Sequence, residues 1–389
     1  MWRGENTYAT VPMLVAQGIA RRNEVKRNLA PRVEKWFRSA ARDLPWRRRR
    51  SPYGTLVSEA MLQQTQVDRV VPAWRRFVGL FPSLKALASA PEDLVLEAWR
   101  GLGYYRRARN LHATAKEIVQ SHSGIIPRER EALEGLPGIG PYSAGAIASI
   151  GFGAREAIVD ANVARVLMRV HGRSVVPTSP RGRAWLWERA REYVDGAVAP
   201  SDANEGLMEL GAIVCSPTSP KCGECPLRRS CDSNRRGTQD RIPRPRTTAN
   251  RSVLHVQVIL ALVNGRRALV RRDTTGLWAG LMFPPTIESP RALSRFVIAE
   301  RLGVSVDALK VNRSFSFLTT HRSVRFRTWN LDDSTARKLK DSNALPWTWH
   351  TPQSVERLSI TSAMRRLLEE AFVPASQAKS GKRVRSSRR

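Results

Sequence analysis

From about residue 30 to residue 232 the apolar positions recur at helical spacing, and after residue 252 they recur at strand spacing. In the first stretch Val33, Trp36, Phe37 and Ala40 form one apolar helix face, closed by Leu44-Pro45-Trp46. Good helix formers run through Ser58-Glu59-Ala60-Met61-Leu62 as far as Gln63, Gln64 and Gln66. Helical patterns continue over Val71–Leu80 and Leu94–Trp99, then through Val163, Val166, Leu167 and Val170. A loop with Pro177 and Pro180 precedes a helix carrying Trp185 and Trp187, and a last one runs from Asn204 to Ile213. Residues 233–251 are basic, proline-containing and almost free of large apolar side chains, as a linker should be. Beyond them Val253 to Val263 and Ala268 to Val270 are β-rich and flank Asn264-Gly265, a hairpin turn. Strand patterns return in Phe315–Leu318 and Val324–Leu331, with helices over Arg291–Leu302 and near Ser362–Phe372. The pattern predicts an all-α domain over 29–232 and a smaller α+β domain over 252–373. An arm (1–28) and a Ser/Lys/Arg-rich tail (374–389), expected to be disordered, complete the chain.

One stretch organises the helical half. Leu136-Pro137-Gly138-Ile139-Gly140 is a tight hairpin whose glycines can take positive φ, and Tyr142 to Ile150 is small and apolar, suited to a closely packed helix. Gly138 and Gly140 leave the hairpin amides unshielded at a helix N-terminus, a place that holds a DNA phosphate. An ordinary helix–helix turn is the plain alternative for those five residues. Asp160 follows, just before a second helix starting near Asn162, so a carboxylate is carried to where the hairpin would hold a nucleotide.

Charge narrows the partner. Lys plus Arg number 65 against 34 Asp plus Glu in 389 residues, a formal net charge of +31. Excess cationic charge yields most affinity on a polyanion, through phosphate neutralisation and counterion release. No apolar run of about eighteen residues suggests a membrane span, and Val11 to Ala20 is too short for a signal peptide. The expectation is a soluble, cytoplasmic, monomeric protein working on nucleic acid, nucleoid-associated if bacterial.

Several side chains then become candidates. Glu59, on a helix among apolar neighbours, would have its pKa raised by desolvation, although a surface glutamate is the plain alternative. Gln63, Gln64 and Gln66 can bond to base edges or merely solvate a helix end. Arg47 to Arg50 are either a solvated basic turn or a phosphate contact. Gly101-Leu102-Gly103-Tyr104-Tyr105-Arg106-Arg107 exposes two aromatics before arginines, an arrangement suited to wedging a ring between bases, with core packing of one tyrosine as the alternative. Cys215, Cys222, Cys225 and Cys231 are all the cysteines there are, in C-x6-C-x2-C-x5-C spacing. Four thiolates suit a structural metal or an iron–sulfur cube. Zinc usually takes two close pairs, which this spacing fits poorly.

With those residues in view, the chain resembles the A/G-specific adenine DNA glycosylase (MutY) family of the endonuclease III-like superfamily. The resemblance runs over about residues 30–370 through LPWR at 44–47, SEAMLQQTQV at 58–67, GLGYYRRARNLH at 101–112, LPGIGPYSAGAI at 136–147, VDANVARV at 159–166 and the cysteine spacing. It implies a helix-hairpin-helix DNA glycosylase domain with a 4Fe–4S cluster loop at 215–231, then a Nudix-like domain, and removal of adenine mispaired with 8-oxoguanine or guanine in double-stranded DNA. By motif position Glu59 matches the acid that protonates adenine N7, and Asp160 the carboxylate that stabilises the oxocarbenium ion. Asn162 matches a residue that orders the site. Arg42, Arg47 and Glu205 match the adenine pocket, and Gln64 and Tyr104 the wedges in the base stack. Where lyase relatives carry a lysine, two residues after the hairpin's last glycine, this chain has Tyr142, which cannot form a Schiff base. The Nudix box keeps only Glu300, so phosphohydrolase chemistry is not expected there. The family's Phe-Ser-His loop, which probes 8-oxoguanine, aligns with Thr319-Thr320-His321, retaining the histidine and a hydroxyl but not the aromatic.

Overall fold

The computed structural model describes residues 29–244, 251–273, 276–319 and 322–356, together with 358, 364, 367 and 368. The arm, Thr320, His321, the tail and most of the helix expected near 362–372 lie outside the described residues. The chain divides into two units, Met1–Ala90 with Arg107–Thr247, and Pro91–Arg106 with Thr248–Arg389. Pro91–Arg106 therefore groups with the C-terminal unit instead of the helical one, and within that unit Asp93 pairs with Arg271 at 3.5 Å.

Helices of the first unit are α1 (Ala30–Ala40), α2 (Pro45–Arg48), α3 (Pro52–Leu62), α4 (Val67–Leu80) and α5 (Leu84–Ser89). After α6 (Glu92–Ala98), which belongs to the second unit, come α7 (Arg106–Ser121), α8 (Arg130–Glu134) and α9 (Pro141–Ala146). A π-helical turn over Ile147–Gly151 extends α9, and α10 (Ala161–Val170), α11 (Pro180–Asp195), α12 (Pro200–Ile213) and α13 (Asp232–Arg236) complete the unit. Starts are marked chemically. Ser51 caps α3 by accepting the Gly54 N–H at 3.0 Å, with Pro52 preset at the first helical position. Asp160 caps α10 in the same way. The expected helix over 142–150 is thus an α-helix that widens into a π-turn, a local loosening common at functional sites.

The hairpin between α8 and α9 uses its glycines unequally. Gly138 has φ +74°, and a Cβ there would sit 2.4 Å from Asn110 Nδ2 on α7. Gly140 has φ −103° and open space where a Cβ would go, so the expectation that both glycines exploit positive φ holds only for Gly138. Thr114 Oγ1 donates to the Pro137 carbonyl at 2.6 Å and ties the hairpin to α7. Close backbone approach is used again where α12 crosses the start of α10: a Cβ on Gly211 would lie 2.6 Å from that of Asn162. Around this crossing Val163, Val166, Leu167, Leu186, Leu207 and Leu210 are buried in one core.

The second unit is built on two four-stranded sheets, one of them mixed. Strands β1 (Ser252–Leu260), β2 (Leu262–Val263), β3 (Arg266–Arg271), β4 (Met282–Phe283) and β5 (Thr286–Ser289) precede helix α14 (Arg295–Leu302). Next come β6 (Leu309–Leu318), β7 (Arg322–Leu331), α15 (Asp333–Ser342), β8 (Thr348–His350) and α16 (Pro352–Glu356). The order is β5-β1-β7-β6 with β1 and β7 parallel, for example Val256 beside Phe326, and β3 links β2, β4 and β8. Period-2 burial explains the layering: Val256, Val258 and Leu260 face one core with Met364 and Leu367, while Ile259 faces another with Trp329, Ile298 and Ala336. Asn264 and Gly265 both adopt positive φ in the β2–β3 hairpin, as their dipeptide predicts. The helix expected from Arg291 begins only at Arg295, because the Ser294 hydroxyl caps it through the Val297 N–H.

The unequal glycines give a paired test by urea unfolding. Gly138→Ala combines a positive φ with a blocked Cβ and should cost about 2 kcal/mol or more. Gly140→Ala should change stability by less than about 0.5 kcal/mol; equal losses would contradict this geometry.

Candidate active site

Glu59 lies near the end of α3 and is 6% exposed. Burial pushes its pKa from 4.5 up to about 7; the Tyr142 hydroxyl, hydrogen-bonded to it, pulls downward, Asp160 and Glu205 raise it by repulsion, and Arg47 lowers it by attraction. The structure therefore gathers Glu59, Tyr142, Asp160, Glu205 and Arg47 around one point. Tyr142, at the start of α9, also places its hydroxyl 3.3 Å from Met208 Sδ, and burial lifts its pKa well above 10, which keeps it a neutral phenol.

Asp160 is held differently. Its Oδ1 accepts the Val163 N–H at 2.6 Å and its Oδ2 the Asn162 amide at 2.9 Å. Burial raises its pKa, while the Val163 and Asn162 donors and the Arg165 charge oppose that rise. Both carboxyl groups are thus desolvated, but Asp160 is in addition tied to donors that favour its anion. Asn162 is fixed in turn: its Oδ1 accepts from Arg165 Nη2 at 2.8 Å, and the same guanidinium donates to the Gly211 carbonyl at 2.8 Å and the Cys215 carbonyl at 2.7 Å.

The pocket candidates also converge. Arg47 donates Nε to Glu205 at 2.9 Å and Nη2 to Glu209 at 3.0 Å, and lies over the Phe37 ring. Arg42 clasps Glu209 through Nε at 2.7 Å and Nη2 at 2.8 Å. The basic run divides: Arg47 is held against Glu205 and Glu209, while Arg48 to Arg50 are exposed, with Arg48 paired to Asp43 and Arg50 to Asp202 and Glu205. A solvated turn thus describes Arg48 and Arg49 but not Arg47. Gln63, though exposed, lines a small cavity beside Glu59 with Asn110, Ser143 and Gly138, and Gln64 is exposed at φ +59°. Tyr104, in the second unit, is half exposed at φ +49° while Tyr105 is buried. A left-handed backbone at a bulky residue is strained, and both wedge candidates hold it. Thr320 and His321 lie outside the described residues.

All four cysteines are free thiols lining one cavity, walled by Val166, Val170, Val214 and Leu227. Among the described residues no three His, Cys, Asp or Glu side chains are arranged to hold a single metal ion. Four thiols around one cavity are the ligand count of a tetrahedral zinc or of an iron–sulfur cube. Burial pushes the Cys225 thiol up to about 12, so its thiolate form calls for a bound cation. Arg169, 2% exposed, braces the loop by donating to Cys215 Sγ at 3.3 Å, the Ser216 carbonyl at 2.7 Å and the Ile242 carbonyl at 2.7 Å. Arg165, Arg169 and Glu209 escaped the sequence reading. Their signals were an i,i+4 arginine pair inside an apolar helix and an acidic stripe, Asp202, Glu205 and Glu209, in a strongly basic chain.

Residues 57–192 match the HhH-GPD superfamily of base excision DNA repair proteins. The human adenine DNA glycosylase is 44% identical over 216 residues, covering 53% of this chain and 39% of that protein. The Arabidopsis thaliana adenine DNA glycosylase is 32% identical over 396 residues, covering 85% of this chain and 62% of its own length. Residues 57–192 thus match a DNA repair superfamily, and the chain is similar to adenine DNA glycosylases. It spans about two-fifths of the mammalian relatives' length, from 39% to 42%. The structure of a thermostable thymine-DNA glycosylase superposes with a TM-score of 0.50 at 28% identity, covering 55% of this chain and 98% of the other.

Burial of Glu59 has a thermodynamic signature. Its folded pKa is the raised one, so stability is fully present below pH 4.5 and is lost as pH rises through about 7. The loss amounts to roughly 3 kcal/mol by linkage. Glu59→Gln should remove it, leaving the variant more stable than the parent by about that amount near pH 8 and equal to it near pH 4. Chemical unfolding at both pH values checks this, and equal stabilities near pH 8 would contradict it.

Proposed function

We propose that the chain is a monofunctional adenine DNA glycosylase, removing adenine paired with 8-oxoguanine or guanine in duplex DNA. The observation that carries this reading is a desolvated carboxylic acid, Glu59, set beside a donor-bound carboxylate, Asp160, with a phenol and no amine between them. Glu59, protonated near neutral pH, gives its proton to adenine N7 and makes the base a leaving group. Asp160, kept in place by Val163 and Asn162, faces the sugar and stabilises the oxocarbenium ion before water attacks. Two carboxyl groups flanking a scissile glycosidic bond is the logic of sugar hydrolysis applied to an N-glycoside. Arg42, Arg47 and Glu205 form the adenine pocket, and Gln63 reaches a base edge. Gln64 and Tyr104, exposed on strained backbone, enter the base stack as adenosine is flipped out. Gly138 and Gly140 present hairpin amides to a phosphate.

The second unit is read as a Nudix-like 8-oxoguanine reader acting through Thr320 and His321. Of the Nudix-box glutamates its sequence keeps only Glu300, which is exposed. Cys215, Cys222, Cys225 and Cys231 would hold a 4Fe–4S cluster, which when bound would staple the loop that Arg165 and Arg169 brace. The protein would act as a monomer.

Incubation with duplexes carrying adenine opposite 8-oxoguanine, guanine or cytosine tests the reading. Free adenine should appear from the first two, and strand breaks only after alkali; breaks without alkali, or no adenine, would overturn it. Glu59→Gln should slow release by roughly 10³-fold or more with mispair binding held within about threefold. Anaerobically purified protein should carry about four irons per chain; a colourless zinc protein would refute the cluster.

A further inference from the structure

Asp202, Glu205 and Glu209 are spaced along one face of α12 and meet arginines from the segment between α1 and α3. Glu209 is the most deeply placed, 1% exposed, and every acceptor position it has is used. Its Oε1 takes the Arg42 backbone N–H at 3.1 Å and Arg42 Nε at 2.7 Å; its Oε2 takes Arg42 Nη2 at 2.8 Å and Arg47 Nη2 at 3.0 Å. Arg47 returns to the Arg42 carbonyl through Nη1 at 3.2 Å, so Arg42, Glu209 and Arg47 make a closed ring. A carboxylate offers about four lone-pair sites, so Glu209 has none left for a substrate. It also stays ionised: hydrogen bonds from both arginines, winning over burial, bring its pKa down to about 2.

We propose that Glu209 is a positioning residue that sets the guanidinium groups of Arg42 and Arg47 into the wall of the adenine pocket. This rests on the adenine-glycosylase reading and adds a residue to it that never touches the base. Without the shared anion, two arginines, 37% and 13% exposed at their side chains, would repel each other and leave the wall. Arg47 would then no longer stand beside Glu59, whose other charged and titratable neighbours are Tyr142, Asp160 and Glu205.

A double-mutant cycle on single-turnover adenine release from adenine:8-oxoguanine duplex tests this, because a residue acting only through another gives non-additive losses. Glu209→Gln, which hardly changes volume, should slow release about tenfold or more in the parent and less than about threefold in an Arg42→Gln background. Losses that multiply, or a Glu209→Gln rate within about twofold of the parent, would overturn the role. Should Glu209→Gln fail to fold, Glu209→Asp keeps the charge but shortens the reach, and the same cycle with it should show the same non-additivity. Inactivity of the parent protein would overturn the proposed function and this role together; an active parent with an unaffected variant overturns this role alone.

Discussion

Removing one carboxyl group from water is the constraint around which the helical unit is arranged. Glu59 sits at 6% exposure on α3, and desolvation outweighs every other influence on its pKa. An isolated buried anion is costly, so such a group takes up a proton instead. The fold then supplies neighbours that hold the balance near neutrality: a phenol that donates to it, two carboxylates that repel it and one guanidinium that attracts it. None of these is close in sequence. They arrive from α2, α9, α10 and α12, brought together by a glycine-permitted crossing and a π-turn.

The arginines explain how so basic a chain supports this. Net charge of +31 invites a picture of cations facing outward to DNA. Around the candidate site the opposite holds. Arg42, Arg47 and Arg50 point at Glu205 and Glu209, and Arg165 and Arg169 spend their donors on main-chain carbonyls of the α12 end and the cysteine loop. Planar guanidinium groups suit this because one side chain can satisfy several acceptors in fixed directions. The consequence is a rigid connection from Asp160 through Asn162 and Arg165 to Cys215, so the carboxylate and the cysteine loop share one set of supports.

Much of this was legible in the sequence, and the exceptions share a cause. Periodicity separated the helical unit from the sheet unit, the Asn264-Gly265 hairpin formed as its dipeptide dictates, and Glu59, Tyr142 and Asp160 meet as their motifs imply. Tyr104 and Tyr105, for which wedging and burial were both open, divide the two fates. Long-range pairing was invisible. Arg47 and Arg50 read as part of a solvated or phosphate-binding run because their carboxylate partners lie more than 150 residues away. Glu209 looked like any helix glutamate until Arg42 and Arg47 closed on it. Gly140 read like Gly138, since composition cannot show which of two glycines carries the positive φ. Segment 91–106 looked like one more helix of the first unit, because periodicity reports a helix and not the core it joins.

The central claim is that one carboxyl stays protonated at working pH because the fold keeps water from it. Infrared difference spectra of the free protein against Glu59→Gln, followed across pH, report that group alone through its protonated carbonyl stretch. The signal should persist past pH 6 and titrate with a midpoint near 7. A midpoint near 4.5, the value of an exposed glutamate, would contradict the account.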